Sequence, residues 1–300
     1  MKEENNKALF FLDKKTVRLA IPNKGRISSP VLDLLEKSGL HINDTGTRRL
    51  IAKTSDPHVD VLYARPSDIP EYVATGAADL GITGHDLVIE HGSHVLELLD
   101  LKLGQARLIL AVRQDFHIRT KEELVGKNIA TEFPNITAEY LKKNGIQANV
   151  LHVTGACEVT PYLGIADAIV DLTSSGTTLA ENRLTIIDEV MKTSTMVIAN
   201  PHSREVKSEK IDEVLLALES VVSARGQCYL MLNVEREKIK LIEDVLPGLS
   251  GPTIMDVASN EGLVAVHSVV PEDQVFSLIT QLKKAGAKDI LVMPVARMVR

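Results

Sequence analysis

The chain has 300 residues, 44% of them apolar and 25% charged, with a net charge of −6 and no tryptophan. That length suggests about two domains, with enough apolar material for a core that needs no disulfide or metal staple. The acidic balance, with no basic block and no basic–aromatic interleaving, excludes a general nucleic-acid surface. Any anion site must be locally basic within an acidic whole.

The opening MKEENNKALFFLDKK has too short an apolar piece for a signal peptide or a membrane span. No membrane association is expected. Cys157 and Cys228 are too far apart for a Cys-x-x-Cys pair and read as free thiols of a reducing, cytoplasmic compartment. TVRLAIP (16–22) is a buried strand, NKGR a turn, and SSPVLDLLEKSG a helix with Ser at its start and Gly at its end. Further strands are RRLIAK (48–53), VDVLYAR (59–65), DLGIT (79–83), ARLILAVR (106–113), KNIATEF (127–133), ANVLHV (148–153) and DAIVDL (167–172). Helices such as IPEYVATG and ITAEYLKKNG fall between them, an alternation that means α/β architecture with largely parallel sheets.

One pattern occurs twice. GAADLGITG from Gly76 and GIADAIVDL from Gly164 both read Gly-x-Ala-Asp followed by an apolar strand. As a true repeat it predicts two lobes of similar build facing a cleft, with LTIIDEVMKTSTMVIANP (184–201) carrying the chain back across. After Gly226 the order becomes βαββαβ, the ferredoxin-like plan, joined to the lobes by the helix SEKIDEVLLALESVVSARG (208–226).

Chemistry concentrates in DLTSSGTTLAEN. Thr173, Ser174, Ser175, Gly176, Thr177 and Thr178 form a loop between a strand and a helix start, where free N–H groups suit a phosphate. The same run serves equally as an N-cap. Asp171, at the strand's carboxyl end, tips the balance. A carboxylate beside a phosphate cradle repels unless it serves another group, such as ribose hydroxyls. Asp167 takes the place of Asp79 in the repeat, which favours a structural role. Lys24, Arg26, Arg49 and Arg65 lie at strand boundaries of the first lobe; they are either solvated surface or a polyphosphate clamp. Glu158, at an apparent helix start, reads as a capping or a catalytic acid. His91 and His94 lack a third metal ligand, and no nucleophilic triad or Cys–His pair has supporting context.

PNKGR, TRRLIA, the DIP turn, DLGITG, GACEVTPYLGIADAIVDLTSSGTTL and the βαββαβ tail, taken in order, resemble the long form of the ATP phosphoribosyltransferases. The resemblance implies a two-lobed, periplasmic-binding-protein-like catalytic region plus a ferredoxin-like regulatory domain. The expected boundaries are lobe I from 1–107 and 186–225, lobe II from 108–185, and the C-terminal domain from 226–300. It implies the joining of ATP to phosphoribosyl pyrophosphate in histidine biosynthesis, with Mg²⁺ carried mainly by substrate. Residues 173–178 would hold the donor's 5-phosphate, Asp171 its ribose, and Lys24, Arg26 and Arg49 polyphosphate across the cleft. Feedback inhibition by histidine would act in the C-terminal domain, with Leu249 and Thr253 of the turn PGLSGPTIMD as contacts, and dimers would assemble into hexamers. Two alternatives stay open on the residues alone: an anion-binding module without chemistry, and a phosphoribosyltransferase that uses another base.

Overall fold

The computed structural model describes residues 15–43, 50–174, 176–246, 251–258 and 262–299, with the side chain of Thr178 outside that set. Two compact units, residues 1–215 and 216–300, divide the chain.

The first unit runs β1 (Val17–Pro22), α1 (Ser28–Lys37), β2 (Ile51–Lys53), β3 (Val59–Ala64), α2 (Ile69–Ala74), β4 (Leu80–Gly84), α3 (His85–His91), β5 (Leu96–Asp100), β6 (Ala106–Arg113) and β7 (Asn128–Thr131). It continues with α4 (Pro134–Lys143), β8 (Asn149–His152), β9 (Ala168–Thr173), α5 (Thr177–Glu181), β10 (Leu184–Thr193), β11 (Thr195–Ala199), α6 (Pro201–Val206) and α7 (Ser208–Ala224), the last of which crosses the division. Two sheets form, in the orders β2-β3-β1-β4-β11-β5 and β10-β6-β9-β7-β8. Each has a parallel segment: β3-β1-β4 in the first, with antiparallel strands on both sides, and β9-β7-β8 in the second, with antiparallel β6 and β10 beyond β9 and β8 at the edge. Each is the base of one lobe.

The repeated Gly-x-Ala-Asp is the same structural corner twice. In the first lobe the Asp79 amide donates to the Arg18 carbonyl, and the Arg18 amide donates back to Asp79 Oδ2 at 2.8 Å. In the second, the Asp167 amide donates to the Asn128 carbonyl and the Asn128 amide returns to Asp167 Oδ2 at 2.9 Å. Each Asp sits one residue before its strand and pins it to the parallel neighbour, β4 to β1 and β9 to β7. Asp167 therefore braces the sheet, as its place in the repeat predicts. Asp79 goes further: it also accepts from the Ser203 hydroxyl at 2.6 Å and pairs with Lys207 Nζ at 2.9 Å.

Two details differ from the sequence reading. β10 pairs with β6 from Leu184 to Thr193, so the second sheet extends through Thr193. The crossing expected near residue 186 thus falls at Ser194, because the pairing continues past two register shifts, at Ile186/Asp188 and Glu189/Met191, without ending. Ser28 does not cap α1. Its hydroxyl donates back to the Pro22 carbonyl at 2.9 Å, holding the loop between β1 and α1.

The second unit contains β12 (Gln227–Glu235), α8 (Ile239–Glu243), β13 (Thr253–Asp256), β14 (Leu263–Pro271), α9 (Val275–Lys284) and β15 (Lys288–Pro294). Its sheet order, β13-β14-β12-β15, is the ferredoxin-like arrangement read from the sequence. β12 and β14 alternate buried and half-buried residues along their whole length. Their inner positions, among them Leu230, Leu232, Val264 and Val266, pack with Leu278 and Leu282 of α9. Among the described residues, no helix is long and apolar enough to cross a membrane.

Candidate active site

The second lobe presents the carboxyl ends of β7, β8 and β9 at one edge, where open α/β sheets bind ligands. β9 ends at Thr173, which is buried and whose hydroxyl accepts from the Gly176 amide at 2.9 Å. That bond closes a tight turn. Gly176 sits at φ +78°, and a Cβ there would meet nothing within 4 Å. Glycine is needed for the left-handed backbone, not to avoid a clash within the chain, and the space above it is open. The Gly176 carbonyl then accepts from Ala180 to start α5. Ser174 and Thr177 are exposed at the rim. Ser175 and the Thr178 side chain lie outside the described residues.

Asp171 is half-buried beside this loop and accepts from the Leu172 amide at 2.7 Å. Burial raises its pKa from 3.8 to about 6, and the charges of Glu158 and Glu132 push in the same direction. Glu158 lies on a short 3-10 turn, Cys157–Val159, rather than at the start of an α-helix, and its charge acts on Asp171. Glu132 follows β7 directly and accepts from the Gly155 amide. Three acids from three segments thus meet at one edge. Beneath them Cys157 is buried, with its Sγ 3.1 Å from the Ala130 carbonyl and its thiol pushed up to about 12, chiefly by burial. It is no nucleophile. Both cysteines are free.

The first lobe offers cations at the matching edge of its own sheet. Lys24 and Arg26 are exposed on the loop after β1. Arg65 is exposed immediately after β3, which pairs with β1 up to Pro22 and Ala64. The Asn23 amide donates to the Ala64 carbonyl at 2.8 Å, so Lys24 and Arg65 leave adjacent strands side by side. Arg26 braces its loop by donating from Nη2 to the Gly104 carbonyl at 3.1 Å, next to the segment that crosses between the lobes. Arg49 lies outside the described residues.

A cavity of about 670 Å³ opens where the crossing strands meet, lined by residues of both lobes including His85, Arg107, Ser174, Lys192 and Ser194. Arg107 and Lys192 carry no signal in the sequence that singles them out. Arg107, the second residue of β6, reaches the edge of the 173–178 loop because it pairs in register with Thr173; Lys192 comes there through its pairing with Arg107. Neither pairing is written locally. His91 turns away from ligand chemistry, its Nδ1 lying 2.9 Å from the Leu87 carbonyl of its own helix. Among the described residues no group of three His, Cys, Asp or Glu could hold a metal ion.

A hydroxyl–glycine turn with a half-buried acid thus lies in one lobe and strand-end cations in the other. The ATP phosphoribosyltransferase profile matches residues 65–220, and that of the HisG C-terminal domain matches residues 224–297. The ATP phosphoribosyltransferase of Methanococcoides burtonii is 52% identical over 283 residues, covering 94% of this chain and 99% of its own. That of Methanocella arvoryzae is 49% identical over 284 residues, covering 95% and 100%. The Thermotoga maritima ATP phosphoribosyl transferase (HisG:HisZ) complex contains a chain that superposes with a TM-score of 0.62 at 32% identity, covering 69% of this chain and 99% of its own. With catalytic and C-terminal profiles joined in one polypeptide, the chain belongs to the ATP phosphoribosyltransferase family, in its long form.

Proposed function

We propose that this enzyme joins ATP to phosphoribosyl pyrophosphate, giving N1-(5-phosphoribosyl)-ATP and pyrophosphate, the entry reaction of histidine biosynthesis, in the cytoplasm. The observation that carries the reading of the site is Asp171, a carboxylate held half-buried beside an open hydroxyl–glycine turn. The turn takes the donor's 5-phosphate and Asp171 accepts hydrogen bonds from the ribose diol. Lys24, Arg26 and Arg65 meet polyphosphate from the other lobe, with Arg49 expected beside them.

The chemistry asks for little beyond placement. The bond from adenine N1 to the ribose C1′ forms as the bond from C1′ to the pyrophosphate oxygen breaks, and the electron pair leaves with pyrophosphate. No protein nucleophile takes part. Mg²⁺ supplies charge neutralisation on the leaving group and enters with the substrate, in keeping with its preference for phosphate and water ligands. The positive charge developing on the ribosyl ring is stabilised by Asp171, Glu158 and Glu132, and the two anionic substrates are brought together by the strand-end cations.

The test is Gly176→Val. A β-branched residue at φ +78° costs about 1–3 kcal/mol, which the loop can escape only by giving up the bond from the Gly176 amide to Thr173. Affinity for phosphoribosyl pyrophosphate, read by calorimetry, should fall about tenfold or more, with the melting temperature lowered by about 2–12 °C and the protein still folded at the assay temperature. Full donor affinity in the folded variant would refute this site.

The ferredoxin-like unit is proposed to hold the feedback inhibitor, histidine. Thr253 begins β13 opposite His267 and lines a cavity of about 400 Å³ with Tyr229, Met255 and Val269. His267 Nε2 is buried there without a hydrogen-bond partner among the described residues, while its Nδ1 meets the Tyr229 hydroxyl. Leu249 lies outside the described residues. Histidine should inhibit the enzyme and shift dimers toward hexamers in light scattering. Thr253→Val should raise the histidine concentration needed for half-inhibition severalfold while turnover without histidine stays as in wild type. Equal sensitivity would place the effector elsewhere.

A further inference from the structure

Helix α3 belongs to both lobes. Its Val88 packs in the apolar cluster of the first sheet, and its Leu87 packs against that of the second. Its first turn is tied to the crossing strands. The His85 amide donates to the Ser194 carbonyl at 2.9 Å, and the Asp86 amide donates to the Thr193 hydroxyl at 3.1 Å. That hydroxyl donates in turn to Asp86 Oδ1 at 2.6 Å. A Cβ at Gly84 would collide with Asp86 Oδ1, so the last residue of DLGITG is glycine because the carboxylate folds back over it.

The last turn of α3 reaches into the second lobe. Glu90 is 8% exposed and divides its carboxylate between two free amides at the start of α4. Oε1 accepts from the Asn135 amide at 2.9 Å and Oε2 from the Ile136 amide at 3.0 Å, while the Asn135 side chain donates to the Glu90 carbonyl at 2.8 Å. A helix start needs such acceptors. α4 has no cap of its own, because the residue at its cap position is Phe133. The missing cap is supplied by the other lobe. Only Glu132 and Phe133 separate α4 from β7, and Glu132 is the acid that holds the Gly155 amide at the edge of the site.

We propose that Glu90 is a positioning residue of the transfer reaction, capping α4 from the first lobe so that the donor-binding edge of the second lobe is held in register with the strand-end cations. This rests on the assignment of the donor to the 173–178 loop. The reaction needs groups from both lobes around one forming bond, and displacement of about 1 Å can cost 100-fold in rate. Glu90→Gln keeps length and shape but offers one acceptor to two amides and turns an NH₂ group toward the second, releasing the start of α4.

The experiment compares full-length wild type, Glu90→Gln and Gly176→Val by steady-state kinetics, donor calorimetry and thermal melting. Glu90→Gln should lower kcat about tenfold or more with donor affinity within about threefold of wild type. Gly176→Val should lose donor affinity. Unchanged kcat in folded Glu90→Gln overturns the positioning role and leaves the donor site standing. Lost donor affinity with kcat preserved also overturns it, because the effect would then be confined to the pocket. Normal donor affinity in Gly176→Val refutes the donor site instead. Should Glu90→Gln fail to fold, Glu90→Asp, one methylene too short to reach both amides, is measured in the same way, and wild-type kcat in that variant overturns the proposal.

Discussion

At pH 8 the Asp171→Asn enzyme should melt at a higher temperature than wild type while losing most of its activity. In the folded chain Asp171 is half-buried among acids and its pKa stands at about 6, against 3.8 for a free side chain. The folded state therefore binds the proton more tightly than the unfolded state. The sign of the linkage follows: the ionised group destabilises the fold fully above about pH 6, and the penalty is relieved as pH falls toward 3.8. Each tenfold difference in proton affinity is worth about 1.4 kcal/mol, and screening by solvent at a partly open edge reduces the whole to about 1–2 kcal/mol. Removing the charge should return that amount, about 2–4 °C of melting temperature per kcal/mol. The advantage should vanish below about pH 4. Activity moves the other way. Charge-assisted hydrogen bonds to the ribose diol are worth about 1.5–3 kcal/mol, so kcat/KM for the donor should fall about 10- to 100-fold. Wild type should also lose donor kcat/KM as pH drops through about 6. The donor phosphate itself titrates near pH 6, so the quantity to read is the part of that acid limb absent from the Asn variant. A lower melting temperature at pH 8 with normal turnover would make Asp171 a brace and remove it from the site.

Neutralising the first-lobe cations should produce the second large effect. Lys24 is exposed and carries its charge just past the end of β1, so Lys24→Ala should raise KM for a polyphosphate substrate about 10-fold or more, the value of one hydrogen bond to a charged group. Arg26 has two tasks, because its guanidinium also braces the loop against the Gly104 carbonyl. Arg26→Lys separates them: it keeps the charge and loses the fork. If charge is what matters, Arg26→Lys should retain far more activity than Arg26→Ala, and the salt dependence of kcat/KM should flatten in the alanine variants. Equal kinetics in wild type and Lys24→Ala, with the same response to salt, would reduce Lys24 to solvated surface.

Much of the architecture was legible because it is written locally. Apolar runs such as VRLAIP and QCYLMLNV declare strands by length and alternation, and the ferredoxin-like order followed from counting them. The Gly-x-Ala-Asp repeat identified Asp167 as structural because Asp79 occupies the same corner. Properties made by pairing were not legible. Arg107 and Lys192 reach the site through strand register. The raised pKa of Asp171 comes chiefly from its burial in the folded sheet, with Glu158 and Glu132, on separate segments, adding to it. The role of α3 was hidden for a similar reason: nothing in HDLVIEH signals that its glutamate caps a helix more than forty residues later.

The two Asp corners are alike in geometry but unequal in support, and this bears on which parts of the chain open first. Asp79 is nearly fully buried, 2% exposed, and is held by Ser203 and Lys207 as well as by Arg18, so the hydrogen bonds of Arg18 and Asp79 can break only when α6 and the start of α7 detach too. Asp167 is half-buried, and beyond its exchange of amide bonds with Asn128 it is tied to no such helix pair among the described residues. Deuterium uptake should therefore separate the two copies of one motif. The Arg18 amide should exchange at rates near those of global unfolding, while that of Asn128 should exchange through local opening of the β7–β9 corner. That corner stands at the amino end of β9, the opposite end from the 173–178 loop, so slowed exchange there on substrate binding would report stabilisation carried along the whole strand, with the Asp79 corner serving as an internal reference.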